Sequence, residues 1–429
     1  MATTITTWTS LLQQFLPIFT QPAATIFTRL TVGWILCTVR RTVTGMLPFA
    51  DPAGDHAHDA YHRFFPDARW SMATLWRTLT IMLFQAFCRS GIITLALDDT
   101  LFHHSGKTVN GAGWWRDAVR STQSKTVYAW GLNLVVLTAQ IQPPWGGEPL
   151  GLPINMRLHR KQQASLIDLA QQMINEVIQW FPKRRFRVVA DGFYAPLAGK
   201  EMPHTTMISR IQRNAEIYDL PKNPRKKSRG RPRKKGRRLL CPQKMAPRID
   251  HWQKVKVRER GNIRTRLVYA KVVLWYRVSQ KPVLLVISRE PAGKEKDDFF
   301  VTTDVTMSAA DVIGCYADRW AIEDTFKNTK QFLGGQEPQT TKGQGPERAA
   351  GLGLWLYSTV WLWYLLQKNN KRYFIVQPWN PLKCAPSFAD AIACLRRELW
   401  RERIKYMFGN AAVHDKKFQF LLEALAPAA

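Results

Sequence analysis

From residue 8 to about residue 90 the apolar positions recur at three- and four-residue spacing. WTSLLQQFLPIF (8–19), TIFTRLTVGWILCTVRRTV (25–43) and SMATLWRTLTIMLFQAF (71–87) predict helices, separated by prolines and a loop over DPAGDHAHDAYH (51–62). The pattern then changes. GIITLALDDT (91–100) is a continuous apolar run, rich in β-formers, that ends in two aspartates; it predicts a buried strand delivering carboxylates at its C-terminal end. YAWGLNLVVLTAQI (128–141) and PLGLPINMRLH (149–159) predict two further strands. In ASLIDLAQQMINEVIQWFP (164–182) the period becomes helical, with Leu166, Leu169, Ala170, Met173, Val177 and Trp180 on one face, Ser165 and Asp168 as a capping box and Pro182 as the stop. FRVVADGFYA (186–195) is again a strand, and again an acid, Asp191, stands at its end.

TTMISRIQRN (205–214) predicts one more strand, after which the texture shifts abruptly. KNPRKKSRGRPRKKGRR (222–238) holds eleven bases in seventeen residues and no acid, so self-repulsion and missing apolar surface leave nothing to offset its chain entropy. KVKVRERGNIRTRLVYAKVVLWYRVSQKPVLLVISREP (254–291) alternates like a β-meander, and helical spacing returns at about 308. This basic, β-rich block interrupts the α/β pattern and reads as an insertion. The segment 371–429 is mixed and mostly helical, and no internal repeat is present. LGLWLYSTVWLWYLL (352–366) is apolar throughout but shorter than the roughly 18–20 residues of a bilayer span, which favours a buried core helix over a membrane segment.

Composition sets the partner class. Of 429 residues, 62 are Lys or Arg and 32 are Asp or Glu, for a net charge of +30; with 45% hydrophobic residues this is a folding chain suited to a polyanion, nucleic acid or an anionic membrane surface. Six scattered cysteines without a CxxC suggest reduced thiols in an intracellular protein. MATTITTWTS lacks a basic n-region and a small-residue cleavage site, so no signal peptide is expected.

One polar stripe changes this picture. In YADRWAIEDTFKNTK (316–330), at about 100° per residue, Tyr316, Arg319, Glu323 and Lys330 project within an arc of about 60°, whereas Asp324 points roughly 100° away from Glu323. Taken alone, Arg319 with Glu323 is an i,i+4 pair of the kind that decorates solvated helices. Taken with the strand-end aspartates, Glu323 is a third carboxylate, and three carboxylates suit hard divalent cations such as Mg²⁺. Two such ions about 3.5–4 Å apart can clamp a scissile phosphate between attacking and leaving oxygens.

Asp98, Asp191 and Glu323, with the spacing Tyr316-x2-Arg319-x3-Glu323-x6-Lys330, resemble the DDE triad and YREK signature of bacterial insertion-sequence transposases with an RNase H-like core. The resemblance covers roughly residues 90–370, including a β-rich insertion before the glutamate helix. It implies an α/β fold with an RNase H-like mixed sheet flanked by helices, and catalysis and metal binding by Asp98, Asp191 and Glu323. It further implies two Mg²⁺ ions, for which Mn²⁺ can substitute, and DNA contacts by Tyr316, Arg319 and Lys330. Arg210, Arg229 and Arg231 join these as DNA-binding candidates from the basic segments. The D-x-T context of Asp98-Asp99-Thr100 selects Asp98, with Asp99 as the alternative, because adjacent strand residues face opposite ways.

The implied organisation is a helical N-terminal domain over 1–90 expected to bind DNA ends, core segments over 91–204 and 305–370, the insertion over 205–304, and a C-terminal region over 371–429 for dimerisation or DNA contact. The implied reaction cuts at transposon ends and joins the freed 3′-hydroxyl to target DNA, on double-stranded DNA held by a homodimer in the cytoplasm at the nucleoid. A DNA-binding descendant that has lost catalysis is the alternative. Relatives place a stacking tryptophan in the insertion; Trp252 and Trp275 are the candidates there, with a core role the equal alternative for each. SGKT (105–108) fails as a phosphate loop because Leu101 stands where glycine is required. His103-His104 reads as a loop pair near the first acid strand. Arg-Gly-Arg-Pro (229–232) reads equally as a minor-groove hook or a basic arm.

Overall fold

The computed structural model describes residues 7–122, 124–221, 233–367, 374, 376, 378–411 and 415–427. Arg229 and Arg231, with most of the basic run, lie outside the described residues. The N-terminal segment forms α1 (Trp8–Gln13), α2 (Gln21–Leu36), α3 (Val43–Ala50), α4 (His58–Arg63) and α5 (Met72–Phe87). The segment read as a loop over 51–62 therefore contains the start of a short helix. These helices share one apolar core with the sheet: Phe15 and Phe27 pack on Trp355 at ring distances of 4.9 and 5.4 Å, and Leu97 and Val188 lie in the same cluster.

The sheet begins with β1 (Ile93–His103), β2 (Gly113–Arg116), β3 (Tyr128–Ile141) and β4 (Leu150–His159), continues after α6 (Leu166–Trp180) with β5 (Phe186–Ala190) and β6 (Thr205–Arg210), and is extended by four insertion strands. Ser165 caps α6 by accepting the Asp168 N–H at 3.2 Å, as its capping box predicts. The core order is β4-β3-β1-β5-β6, with β3 antiparallel to β1 and β4 while β1, β5 and β6 run parallel. This is the RNase H-like mixed sheet expected from the sequence.

Beyond β6 come the turn helix α7 (Pro242–Met245), β7 (Gln253–Glu259), β8 (Asn262–Val273), β9 (Val283–Arg289) and β10 (Asp298–Thr302). These strands do not fold away as a separate unit. β10 pairs antiparallel with β6, and β9, β8 and β7 follow in order, so the insertion prolongs the core sheet. Thr205–Arg210, grouped by its position with the insertion, is the last parallel strand of the core.

The helical remainder comprises α8 (Ala309–Asp318), α9 (Ala321–Phe332), α10 (Gly345–Leu366), α11 (Phe388–Phe408) and α12 (Lys416–Leu425). Among the described residues α10 alone is long and apolar enough to cross a membrane, and 94% of its apolar window is buried inside the protein. Arg348 clasps α10 to the N-terminal layer, donating to the carbonyls of Phe65, Ala68 and Trp70 at 2.8–2.9 Å. α9 sits tightly on β4: a Cβ at Gly151 would stand 2.9 Å from the Ala321 carbonyl oxygen, and Thr325 Oγ1 donates to the Gly151 carbonyl at 2.5 Å. That close approach sets where Glu323, on the first turn of α9, can reach.

Candidate active site

β1 does not end at its aspartates. Thr100, Leu101, Phe102 and His103 keep pairing with β3 as far as Gly131, so Asp98 and Asp99 stand mid-strand. Parallel pairing with β5 runs from Ile93↔Phe186 to Leu97↔Ala190, and one step further brings Asp98 level with Asp191 in the loop that follows β5. Ala96 pairs with Val189, whose side chain packs on Val312 and Ile313 of α8, so Asp98 shares the face covered by α8 and α9. Asp99 faces the other way, where its Oδ1 accepts the Tyr194 hydroxyl at 3.1 Å.

The stretch 316–330 is two helices rather than one. At the junction the N–H groups of Arg319, Trp320, Ile322 and Glu323 bond three residues back, to Tyr316, Ala317, Arg319 and Trp320, at 2.9–3.2 Å. This tightened turn breaks the chain between α8 and α9 and turns Arg319 inward. Arg319 Nη1 meets Asp98 Oδ2 at 2.6 Å and Nη2 meets Glu323 Oε1 at 3.1 Å, while the guanidinium also lies 5.6 Å from the Tyr316 ring. Arg210, paired with Asp298 at 2.9 Å, covers the same ring at 5.3 Å. Lys330 goes elsewhere. It lies seven residues, about 10 Å of helix, beyond Glu323, over the Phe102 ring at 5.6 Å, and feels Asp117.

Burial dominates the electrostatics. It pushes Asp98 up to about 7, with Arg319 pulling down and Asp99 and Asp191 adding to the rise. Asp99 is likewise raised by burial, against the Tyr194 hydrogen bond. Glu323 is raised by burial and held back by Arg319, and burial lowers Lys330. Asp191 accepts the Phe193 N–H at 2.9 Å.

Among the described residues no three His, Cys, Asp or Glu side chains stand close enough to hold a metal ion together. The donor chemistry still fits a hard divalent cation. Asp98 and Glu323 present carboxylate oxygens to one cationic group, the Arg319 guanidinium, so the space between them already accepts positive charge.

Beside this centre, Arg210, Arg260, Arg266, Tyr316, Arg319 and Trp320 line a cleft of about 200 Å³ between the insertion and the α8–α9 junction. Sequence reasoning missed Arg260 and Trp320, although the first occupies a two-residue turn and the second lies inside the signature. The proposed stacking tryptophans sit otherwise: Trp275 is buried in the insertion core, and Trp252 packs against that core beneath Arg289 at 4.4 Å. His103 is no loop residue but the end of β1, paired with Asp117 at 2.9 Å. With His104 it borders a cleft of about 520 Å³ away from the carboxylates.

A cryo-EM structure of a piggyBac transposase synaptic complex with hairpin DNA aligns over 95% of this chain and 77% of its own, at 10% identity and a TM-score of 0.39. Among curated proteins none matches the chain. The sequence profile of the DDE superfamily endonucleases matches residues 14–269, a span that holds Asp98 and Asp191 and ends before Glu323. That match covers more than half of the chain, and the protein belongs to the DDE superfamily endonuclease family.

Proposed function

We propose that this endonuclease is a DNA transposase that cuts at transposon ends and joins the freed 3′-hydroxyl to target DNA. The observation that carries the reading is the convergence on Arg319 of Asp98, 221 residues away in the chain, and of Glu323. A salt bridge that only decorated a helix would not recruit a buried acid from the central strand.

Asp98, Asp191 and Glu323 would hold the divalent cations, Mg²⁺ or Mn²⁺, which supply an activated water and neutralise the leaving oxygen. The chain's own groups do the rest. Arg319 holds the Asp98 and Glu323 carboxylates on its two terminal nitrogens, and Tyr194 holds Asp99 on the opposite face. Arg210 and Tyr316 line the adjoining cleft, where backbone phosphates of double-stranded DNA would lie. Two copies on paired ends, at the nucleoid, complete the proposal.

The test is nicking of a duplex carrying the element's terminal repeat, in Mg²⁺ or Mn²⁺, by wild type and Glu323→Ala. Inverted repeats bracketing the gene, flanked by short direct repeats, would supply that duplex. Cutting by wild type alone supports the enzyme; binding without cutting by both proteins leaves a DNA-binding descendant.

A further inference from the structure

We propose that Arg260, at the tip of the β7–β8 hairpin, binds a backbone phosphate of the DNA strand that enters the Asp98–Glu323 site. The inference rests on the DNA-processing reading above and adds a contact made by the insertion.

The turn itself singles out this side chain. Glu259 pairs with Asn262, leaving Arg260 and Gly261 as a two-residue turn with φ of 50° and 76°. Such turns favour glycine, asparagine or aspartate, because a Cβ is crowded in the left-handed region. The backbone gives no reason for an arginine here, and a non-glycine residue in this region points to a role for its side chain.

The tip is also held in place. A Cβ on Gly261 would stand 2.8 Å from the Gly147 backbone, and Arg258 Nη2 donates to the Gly147 carbonyl at 2.5 Å and to Gln142 Oε1 at 3.1 Å. The hairpin end is thus docked on the β3–β4 loop, and Arg260 is presented at a defined place in the cleft it shares with Arg319 and Tyr316.

What remains is the guanidinium. Its Cζ lies 4.2 Å from the ring centroid of Trp320, itself 43% exposed, and a cation–π contact uses none of the guanidinium's N–H groups as hydrogen-bond donors to a carboxylate. Arg210, Arg266 and Arg319 of the same cleft each hold a carboxylate; among the described residues Arg260 has none within ion-pair distance, and Glu148 and Glu323 feel its charge only from further off. A planar fork of donors, held over an aromatic ring and free of any carboxylate, matches two oxygens of a phosphodiester.

The experiment compares wild type, Arg260→Gly and Arg260→Lys. Anisotropy of a labelled duplex of about 30 base pairs is followed between about 50 and 300 mM salt, with thermal unfolding in parallel. Arg260→Gly is expected to weaken binding about three- to tenfold and to reduce the salt slope by about 1, while Tm holds or rises because glycine suits the turn; Arg260→Lys retains the slope. Wild-type affinity and slope in Arg260→Gly, or a fall in Tm that accompanies the loss of binding, would overturn the proposal. Nicking separates the two readings. If wild type cuts nothing yet Arg260→Gly loses one phosphate contact, the transposase reading fails and this one stands; if wild type cuts and Arg260→Gly binds unchanged, the reverse holds.

Discussion

Arg319 Nη1 lies 2.6 Å from Asp98 Oδ2, so a residue at a helix junction neutralises a carboxylate of the central strand. Only 9% of the Arg319 side chain and 20% of that of Asp98 are exposed, and burial alone would drive both groups toward their neutral forms. Arg319 pulls Asp98 back toward its charged form, yet burial still leaves the aspartate raised to about 7. A divalent cation arriving between Asp98 and Glu323 would take over the same electrostatic duty.

Arg319→Ala accordingly leaves a buried acid without its counter-charge, a change that typically costs about 3 kcal/mol. The variant is expected to unfold at lower denaturant than wild type. Added Mg²⁺ should restore more stability to the variant than to wild type, and EDTA should remove that gain. Equal shifts in both proteins would show that no cation takes the place of the guanidinium.

The two neighbouring aspartates separate by face. Asp98→Asn is expected to retain DNA binding and lose nicking by about 1,000-fold, because its oxygens face Arg319 and Glu323. Asp99→Asn weakens the bond from the Tyr194 hydroxyl, costs about 1 kcal/mol of stability and leaves nicking within a few-fold of wild type. The opposite ranking in a nicking assay would move the site to the other face of the sheet.

How much of this was legible in sequence depended on range. β3 spans the residues that its apolar run marked, and α6 starts at its Ser165 cap, because alternation, periodicity and capping are local signals. The extent of β1 beyond Asp99 was not legible. It is set by pairing with β3, and an acid pair does not end a strand whose partner continues. The break at Arg319–Trp320 carries no glycine or proline, so the sequence read one helix where hydrogen bonds to the third residue back make two. The single stripe presumed one continuous helix; the chain breaks before α9, and the distance along α9 takes Lys330 to Phe102 and Asp117. The addition of β10 to the edge of β6 joins segments about 90 residues apart, which no local pattern announces.

One fork of donors ties α10 to three carbonyls of the N-terminal layer. Arg348 is 7% exposed, satisfies the carbonyls of Phe65, Ala68 and Trp70, and covers the Trp70 ring at 4.5 Å. Arg348→Met would leave those carbonyls without this donor and is expected to cost about 3 kcal/mol in denaturant unfolding. Arg348→Lys should recover only part, since one ammonium cannot reproduce the planar geometry. A loss below about 1 kcal/mol for the methionine variant would mean that the carbonyls find other donors.

Asp318, at the end of α8, ties stability to pH. Burial pushes it from 3.8 up to about 6, with Arg258 and the Arg260 N–H pulling down and Glu148 adding to the rise, and its Oδ1 is buried without a hydrogen-bond partner. Because the folded value lies above the unfolded one, the folded chain holds more protons between these two values. Stability from this group is therefore full below about pH 4 and is lost as pH rises through about 6. Two units correspond to nearly 3 kcal/mol, and the partial exposure of the group reduces this to about 1 kcal/mol. Asp318→Asn is expected to be the more stable protein at pH 7.5 by that amount and to match wild type near pH 4, in urea unfolding followed across the range. If the variant instead loses stability at pH 7.5, the attraction of the Arg258 charge for ionised Asp318 outweighs the aspartate's burial.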